Sequence, residues 1–273
     1  MSASAASTTS DALAGFAYAD GVFETMRSHR GEIPLWPRHR LRLTDSLSRL
    51  GLDPPHWAEL EQRLQSLACA NPESVIKLIG FSADSGRGYL RLSSRAELRL
   101  QVHPLPPVRD QMRARTADLR LAGGGDLAGM KSLARIEQRI AATAVAQQSA
   151  DVALLRNRNG LAVSFSHGNL VLDYGGRLRT APLSHGAIAG VVRGLLLEHQ
   201  PLPISVQAIP YSWLFEADAV LLTNAVRGVQ SVSHLDSQVL RTGSAGTRLQ
   251  QWLARRGLAP IARVESRQIH ADD

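Results

Sequence analysis

The chain is poor in cysteine, lysine and aromatic residues and has no long apolar run, and each shortage excludes something. A single cysteine, Cys69, rules out an internal disulfide and a cysteine-rich zinc site. Its apolar helical context predicts a buried, inert thiol. No stretch of about 18 apolar residues is present, so no membrane-spanning helix and no membrane partner are expected. Residues 1–12 are small and polar, without a basic start or an apolar centre, and open a leader over 1–15. They read as a flexible leader and not as a secretory signal, which makes the cytoplasm the expected compartment. Aromatics make up only 5% of the chain and do not interleave with a basic stripe. The formal charge of +7 comes from scattered arginines, a distribution that suits anionic small molecules better than nucleic acid, so no nucleic-acid partner is expected.

What is present is a globular composition: 273 residues, 44% of them hydrophobic, enough for one large domain or two of ordinary size. Of 31 cationic side chains only two are lysines, Lys77 and Lys131. Arginine stays protonated and cannot condense with a carbonyl, whereas a desolvated lysine can lose its proton and do so. In a chain that uses arginine nearly everywhere else, these two lysines are either candidates for carbonyl chemistry or leftovers of a biased composition.

Periodicity divides the chain near the proline-rich stretch His103-Pro104-Leu105-Pro106-Pro107, which can continue neither a helix nor a central strand. Residues 16–103 are expected to form a small N-terminal α/β domain. An extended run over 22–28 precedes a helix from Pro37 whose apolar face carries leucines 41, 43, 47 and 50. A helix over 57–70 follows, and then strands over 75–81 and 89–103. After a linker over 104–115, residues 116–273 form a larger domain. It opens with a strand at 118–122, a glycine-rich loop over 123–129 and a helix over 132–149 with Ile136 and Ile140 at helical spacing, so Lys131 is expected where loop becomes helix. A meander of short strands follows, its turns marked by Asn159-Gly160 and Gly175-Gly176. The mixture predicts an α+β fold and not a regular parallel wind.

Four separated segments occur in an order that carries more information than any one alone: Ala19-Asp20-Gly21-Val22-Phe23-Glu24-Thr25, His39-Arg40-Leu41-Arg42-Leu43, Leu127 through Gln138, and Thr223-Asn224-Ala225-Val226-Arg227-Gly228-Val229. Gly86-Arg87-Gly88-Tyr89 is a fifth. Together they resemble the class IV aminotransferases, fold-type-IV enzymes of pyridoxal 5'-phosphate (PLP), and within that family most of all the 4-amino-4-deoxychorismate lyases. The resemblance implies two domains with PLP between them, the larger built on a meander or pseudo-barrel of strands, and a homodimer. Lys131 matches the lysine that joins covalently to PLP. Arg42 matches the phosphate-binding arginine, and Val191 and Val192 match the helix start whose backbone N–H groups bind phosphate. Ala225 falls where a phosphate-binding hydroxyl often sits. Arg227 and Arg87 are assigned to an anionic substrate. Glu24 and Glu137 are read as partners of nearby cations, and His39 as a helix-packing residue.

The main departure is Ser164, which stands where relatives carry a glutamate against the PLP ring nitrogen. A carboxylate keeps that nitrogen charged and the ring a deep electron sink, as amino transfer requires; a hydroxyl can only hydrogen-bond to a neutral nitrogen. The change disfavours amino transfer more than an elimination that ends in an aromatic ring. The expected activity is therefore elimination of pyruvate from 4-amino-4-deoxychorismate to give 4-aminobenzoate for folate. A D-amino-acid or branched-chain aminotransferase and a family member without catalysis are the alternatives.

Overall fold

The computed structural model describes residues 15, 17–83, 88–107, 109–258 and 260–261. Its first sheet is the antiparallel β1 (Gly21–His29), β2 (Glu73–Ser82) and β3 (Ala96–Pro104), in the order β1-β2-β3. Pro104 ends an edge strand, where its missing N–H leaves no ladder bond unmade. Two helices, α1 (Trp36–Arg49) and α2 (Trp57–Ala70), cover one face. Pro37 in the first turn of α1 supplies a φ already suited to a helix. Leu43 and Leu47 of α1, Leu60 and Leu64 of α2 and Val22, Met26, Ile76 and Leu78 of the sheet form one buried cluster. Each such leucine contributes about 1.5–3 kcal/mol by burial. Leu41, expected on the apolar face, is 71% exposed because that face runs through His39, Leu43, Ser46 and Leu47. Cys69 is exposed as well, a correction with the same cause: α2 turns Leu60, Leu64 and Ala68 inward.

The second sheet is larger. Strands β4 (Gln111–Leu121), β5 (Val152–Asn157), β6 (Ala162–Phe165), β7 (Gly168–Tyr174), β10 (Ala219–Asn224) and β11 (Gly228–Leu235) run in the order β10-β11-β4-β5-β6-β7, and pairing of β10 with β7 closes them into a pseudo-barrel. Alternate residues of these strands, among them Met112, Leu154, Leu170, Leu172, Leu222 and Val232, pack into one cluster. β8 (Arg177–Thr180) and β9 (Ile204–Val206) extend the sheet from β7, and β12 (Gln238–Val239) pairs with β11. Gly175 and Gly176, both at positive φ, make the two-residue turn between β7 and β8.

Three further boundaries differ from the sequence reading. β4 begins at Gln111, so the second half of the expected linker is strand. Only Ala96–Pro104 of the expected 89–103 strand is regular. Helix α3 spans Ile136–Ala146 and buries Ala141 and Val145, leaving Ile136 and Ile140 65% and 55% exposed. The remaining helices are α4 (Val191–His199), the single-turn α5 (Trp213–Glu216) and α6 (Ala245–Ala254). No helix of the described residues is long and apolar enough to cross a membrane.

Candidate active site

The segment around Lys131 is extended where a helix start was expected, because its backbone is paired on both sides. Phe23 N–H donates to Lys131 O at 3.0 Å and Leu133 N–H to Gly21 O at 2.9 Å, so residues 131–133 lie against β1. On the other side, Ala189 N–H donates to Gly129 O at 2.8 Å. Arg135 straps the same stretch, donating from Nε to Ser132 O at 3.2 Å and from Nη2 to Met130 O. Lys131 is thus held between the first sheet and the loop that leads into α4.

Its amine lies 4.0 Å from the centre of the Phe23 ring, and the Lys77 amine lies 5.2 Å from that centre. The only two lysines of the chain converge on one aromatic ring. Lys131 retains some exposure as a residue, but its amine is deep. Burial, followed by the charge of Arg42, depresses its pKa to about 7; Glu24 pulls it back, while Arg135 and Lys77 depress it further. Such an amine is uncharged about half the time at neutral pH.

Glu24, the next residue of β1, points to the opposite face and is 1% exposed. It accepts from Arg42 Nε at 2.8 Å and Nη2 at 2.5 Å, and from His39 Nδ1 at 2.6 Å. Burial opposes its charge, yet Arg42 and then His39 outweigh that and hold its pKa at about 2. Burial keeps the pKa of His39 below its ordinary value, so a neutral ring donates Nδ1–H to the carboxylate. Arg42 also donates from Nη1 to Ala189 O at 2.9 Å, immediately before α4. The Val191 and Val192 side chains are buried in the large-domain core, and no side chain caps the N–H groups at the start of this helix. Asn169 on β7 fixes the approach: its Nδ2 donates to Ile188 O at 2.8 Å, and a Cβ on Gly190 would stand 1.9 Å from its Oδ1.

Ser164 lies on β6 opposite Asn169 and is 8% exposed, and among the described residues its hydroxyl has no hydrogen-bond partner. Thr223, beside Ala225, keeps a buried Oγ1 with none either. Arg227 acts electrostatically on His167, as Lys131 also does. It donates to Pro107 O at 2.7 Å and, with Arg109, Gln230 and Gln250, lines a cavity of about 280 Å³ that includes neither Lys131 nor Arg42. Arg87 lies outside the described residues. Glu137 accepts from Ala122 N–H at 3.3 Å.

Residues 21–235 match the family model of amino-transferase class IV. The chain belongs to that family. 4-Amino-4-deoxychorismate lyase from Pseudomonas aeruginosa is 30% identical, with a TM-score of 0.82 over 92% of this chain and 96% of that one. An aminodeoxychorismate lyase of Vibrio harveyi is 26% identical over 232 residues, 81% of this chain and 85% of that protein. A protein of Methanocaldococcus jannaschii, provisionally described as a branched-chain-amino-acid aminotransferase, is 25% identical over 245 residues, 85% of this chain and 84% of that one. The fold is also that of a Mycobacterium tuberculosis protein described as a hypothetical aminotransferase in its PLP-bound form, 22% identical over 93% of this chain and 94% of that one, with a TM-score of 0.77.

Class IV membership implies PLP, and this chain's residues fit it. A depressed lysine amine meets the aldehyde requirement, uncapped N–H groups at α4 with Arg42 beside them suit a phosphate, and the buried unpartnered hydroxyl of Thr223 leaves a polar atom for a ligand to satisfy. Asn169 and Lys77 were not assigned to this site from sequence. Lys77 carried a signal, its rarity; Asn169 carried only its place in the segment after Ser164.

Proposed function

We propose that the chain is a PLP-dependent 4-amino-4-deoxychorismate lyase that releases pyruvate and leaves 4-aminobenzoate, a precursor of folate. The observation that carries this reading is Ser164: a neutral hydroxyl, on a residue only 8% exposed and making no hydrogen bond among the described residues, at the position where amino transfer calls for a carboxylate. The P. aeruginosa lyase, at 30% identity over most of both chains, supports the same choice. Arg42 and the first N–H groups of α4 would hold the cofactor phosphate, Lys131 its aldehyde carbon and Ser164 its ring nitrogen. When bound, PLP supplies an electron sink next to the carbon that bears the substrate's amino group. Lys131, uncharged half the time, is the base for the proton on that carbon. Loss of that proton and of the enolpyruvyl oxygen aromatises the ring, and this driving force tolerates the weaker sink that a hydroxyl provides. Lys77, whose amine lies against the same Phe23 ring, would be a cation for a substrate carboxylate. A homodimer goes with this reading; the exposed Leu127, Ile136 and Ile140 near Lys131 in sequence are side chains such an interface would cover.

The M. jannaschii relative keeps amino transfer as a second reading. Incubating the PLP-loaded protein with 4-amino-4-deoxychorismate should release 4-aminobenzoate and pyruvate in equal amounts. Ser164→Glu should slow that release and raise amino transfer from amino acids. Rapid amino transfer by the wild type without 4-aminobenzoate would reject the lyase.

A further inference from the structure

We infer that Glu24 is a positioning residue for the phosphate end of the cofactor, aiming the Arg42 guanidinium at the start of α4. This rests on the PLP reading above.

A guanidinium has five N–H donors. Two of those on Arg42 go to the two oxygens of Glu24 and a third to Ala189 O, which leaves two for a ligand. The bidentate contact fixes both the plane and the rotation of the group, which a single bond could not do. Glu24 is fixed in turn: its backbone belongs to β1, paired along its length with β2, and its second oxygen also accepts from His39. The carboxylate is nearly inaccessible and faces away from the ring that the lysine amines share, so it contacts none of the reacting atoms in this arrangement.

Charge alone makes the opposite prediction. Glu24 is an anion close to where a dianionic phosphate would sit, and Lys131 and Arg135 lie in the same electrostatic neighbourhood as Arg42. If only Coulomb attraction mattered, removing Glu24 would strengthen phosphate binding. If aim matters more, removing it weakens binding, because an unpaired buried guanidinium turns from its cation neighbours toward other acceptors.

The test is the phosphate preference of the apo-protein: the Kd for pyridoxal divided by the Kd for PLP, from fluorescence titrations of wild type, Glu24→Gln and Glu24→Asp, with thermal melts to confirm folding. Glu24→Gln should lower the preference about tenfold or more, corresponding to about 1.4 kcal/mol. Glu24→Asp, which keeps the charge but withdraws the carboxylate by one methylene, should lower it about threefold, and it carries the test alone if the glutamine variant does not fold. A general loss of packing would weaken both ligands equally and leave the ratio unchanged. An unchanged or higher preference in a folded variant overturns the assignment. Failure of the wild type to bind PLP at all would reject the cofactor reading instead.

Discussion

The depressed amine of Lys131 makes the sharpest prediction. With the ordinary lysine value of 10.5, about one amine in 3,000 would be uncharged at pH 7; at about 7, half are. The second-order rate at which apo-protein captures PLP should therefore rise about tenfold per pH unit up to pH 7 and then flatten. A lysine peptide measured in parallel removes the pH dependence of PLP itself and should show no such bend. Lys77→Met removes one of the lesser charges behind the depression, after burial, Arg42 and Arg135. Both amines lie against the Phe23 ring, at 4.0 and 5.2 Å from its centre, so they are within about 9 Å of each other. At an effective dielectric constant of about 20–40 that separation is worth about 1–2 kcal/mol. Lys77 is partly exposed, and screening reduces the effect on Lys131 to about half to one pH unit. The bend should thus move up to about 7.5–8 in Lys77→Met. A wild-type rate that keeps climbing past pH 9 would refute the depressed amine, and a bend that stays put or moves down on removing Lys77 would refute the part given to Lys77.

Two further outcomes concern stability and the approach to α4. Because the folded state disfavours protonated Lys131, the unfolded chain binds that proton more tightly; the penalty is full below pH 7 and fades as pH rises toward 10.5. Lys131→Met should therefore stabilise the fold by about 1–3 kcal/mol at pH 6 and by clearly less at pH 9, as read from urea unfolding, while abolishing 4-aminobenzoate formation. Equal gains at the two pH values would contradict a depressed amine. Gly190→Ala places a methyl 1.9 Å from Asn169 Oδ1, forcing that side chain off Ile188 O. It should cost about 1–2 kcal/mol in melting experiments and weaken PLP binding; wild-type values for both would show that Asn169 does not hold the loop.

Local pattern alone was sufficient for much of this molecule. The 3.6-residue spacing of Leu43 and Leu47 and the turn residues Gly175 and Gly176 each act within a few residues, so helices and a hairpin are legible without coordinates. The rarity of lysine pointed to Lys131 and Lys77 because a cation that arginine could replace gives no reason to keep an amine. Spacing failed where a backbone found partners far away in sequence. Lys131 is extended and not helical because β1, over 100 residues earlier, takes up its carbonyl, while the 188–189 loop pairs with Gly129 just before it. Ile136 and Ile140 follow a helical period yet face outward, since the period says which residues share a face and not what covers it.

The sequence by itself supplied the chemical vocabulary: two rare amines, and, through the family resemblance, a guanidinium expected at a phosphate and a hydroxyl where a carboxylate is usual. Only the tertiary structure decided how these act together. It closed a barrel by pairing β10 with β7, buried Glu24 against Arg42, set both lysine amines on one Phe23 ring, and placed Arg227 in the wall of a cavity lined by neither Lys131 nor Arg42. The reason is one of range: propensity and turn chemistry act over a few bonds, while an amine's pKa and a guanidinium's aim depend on charges and walls brought in from distant parts of the chain.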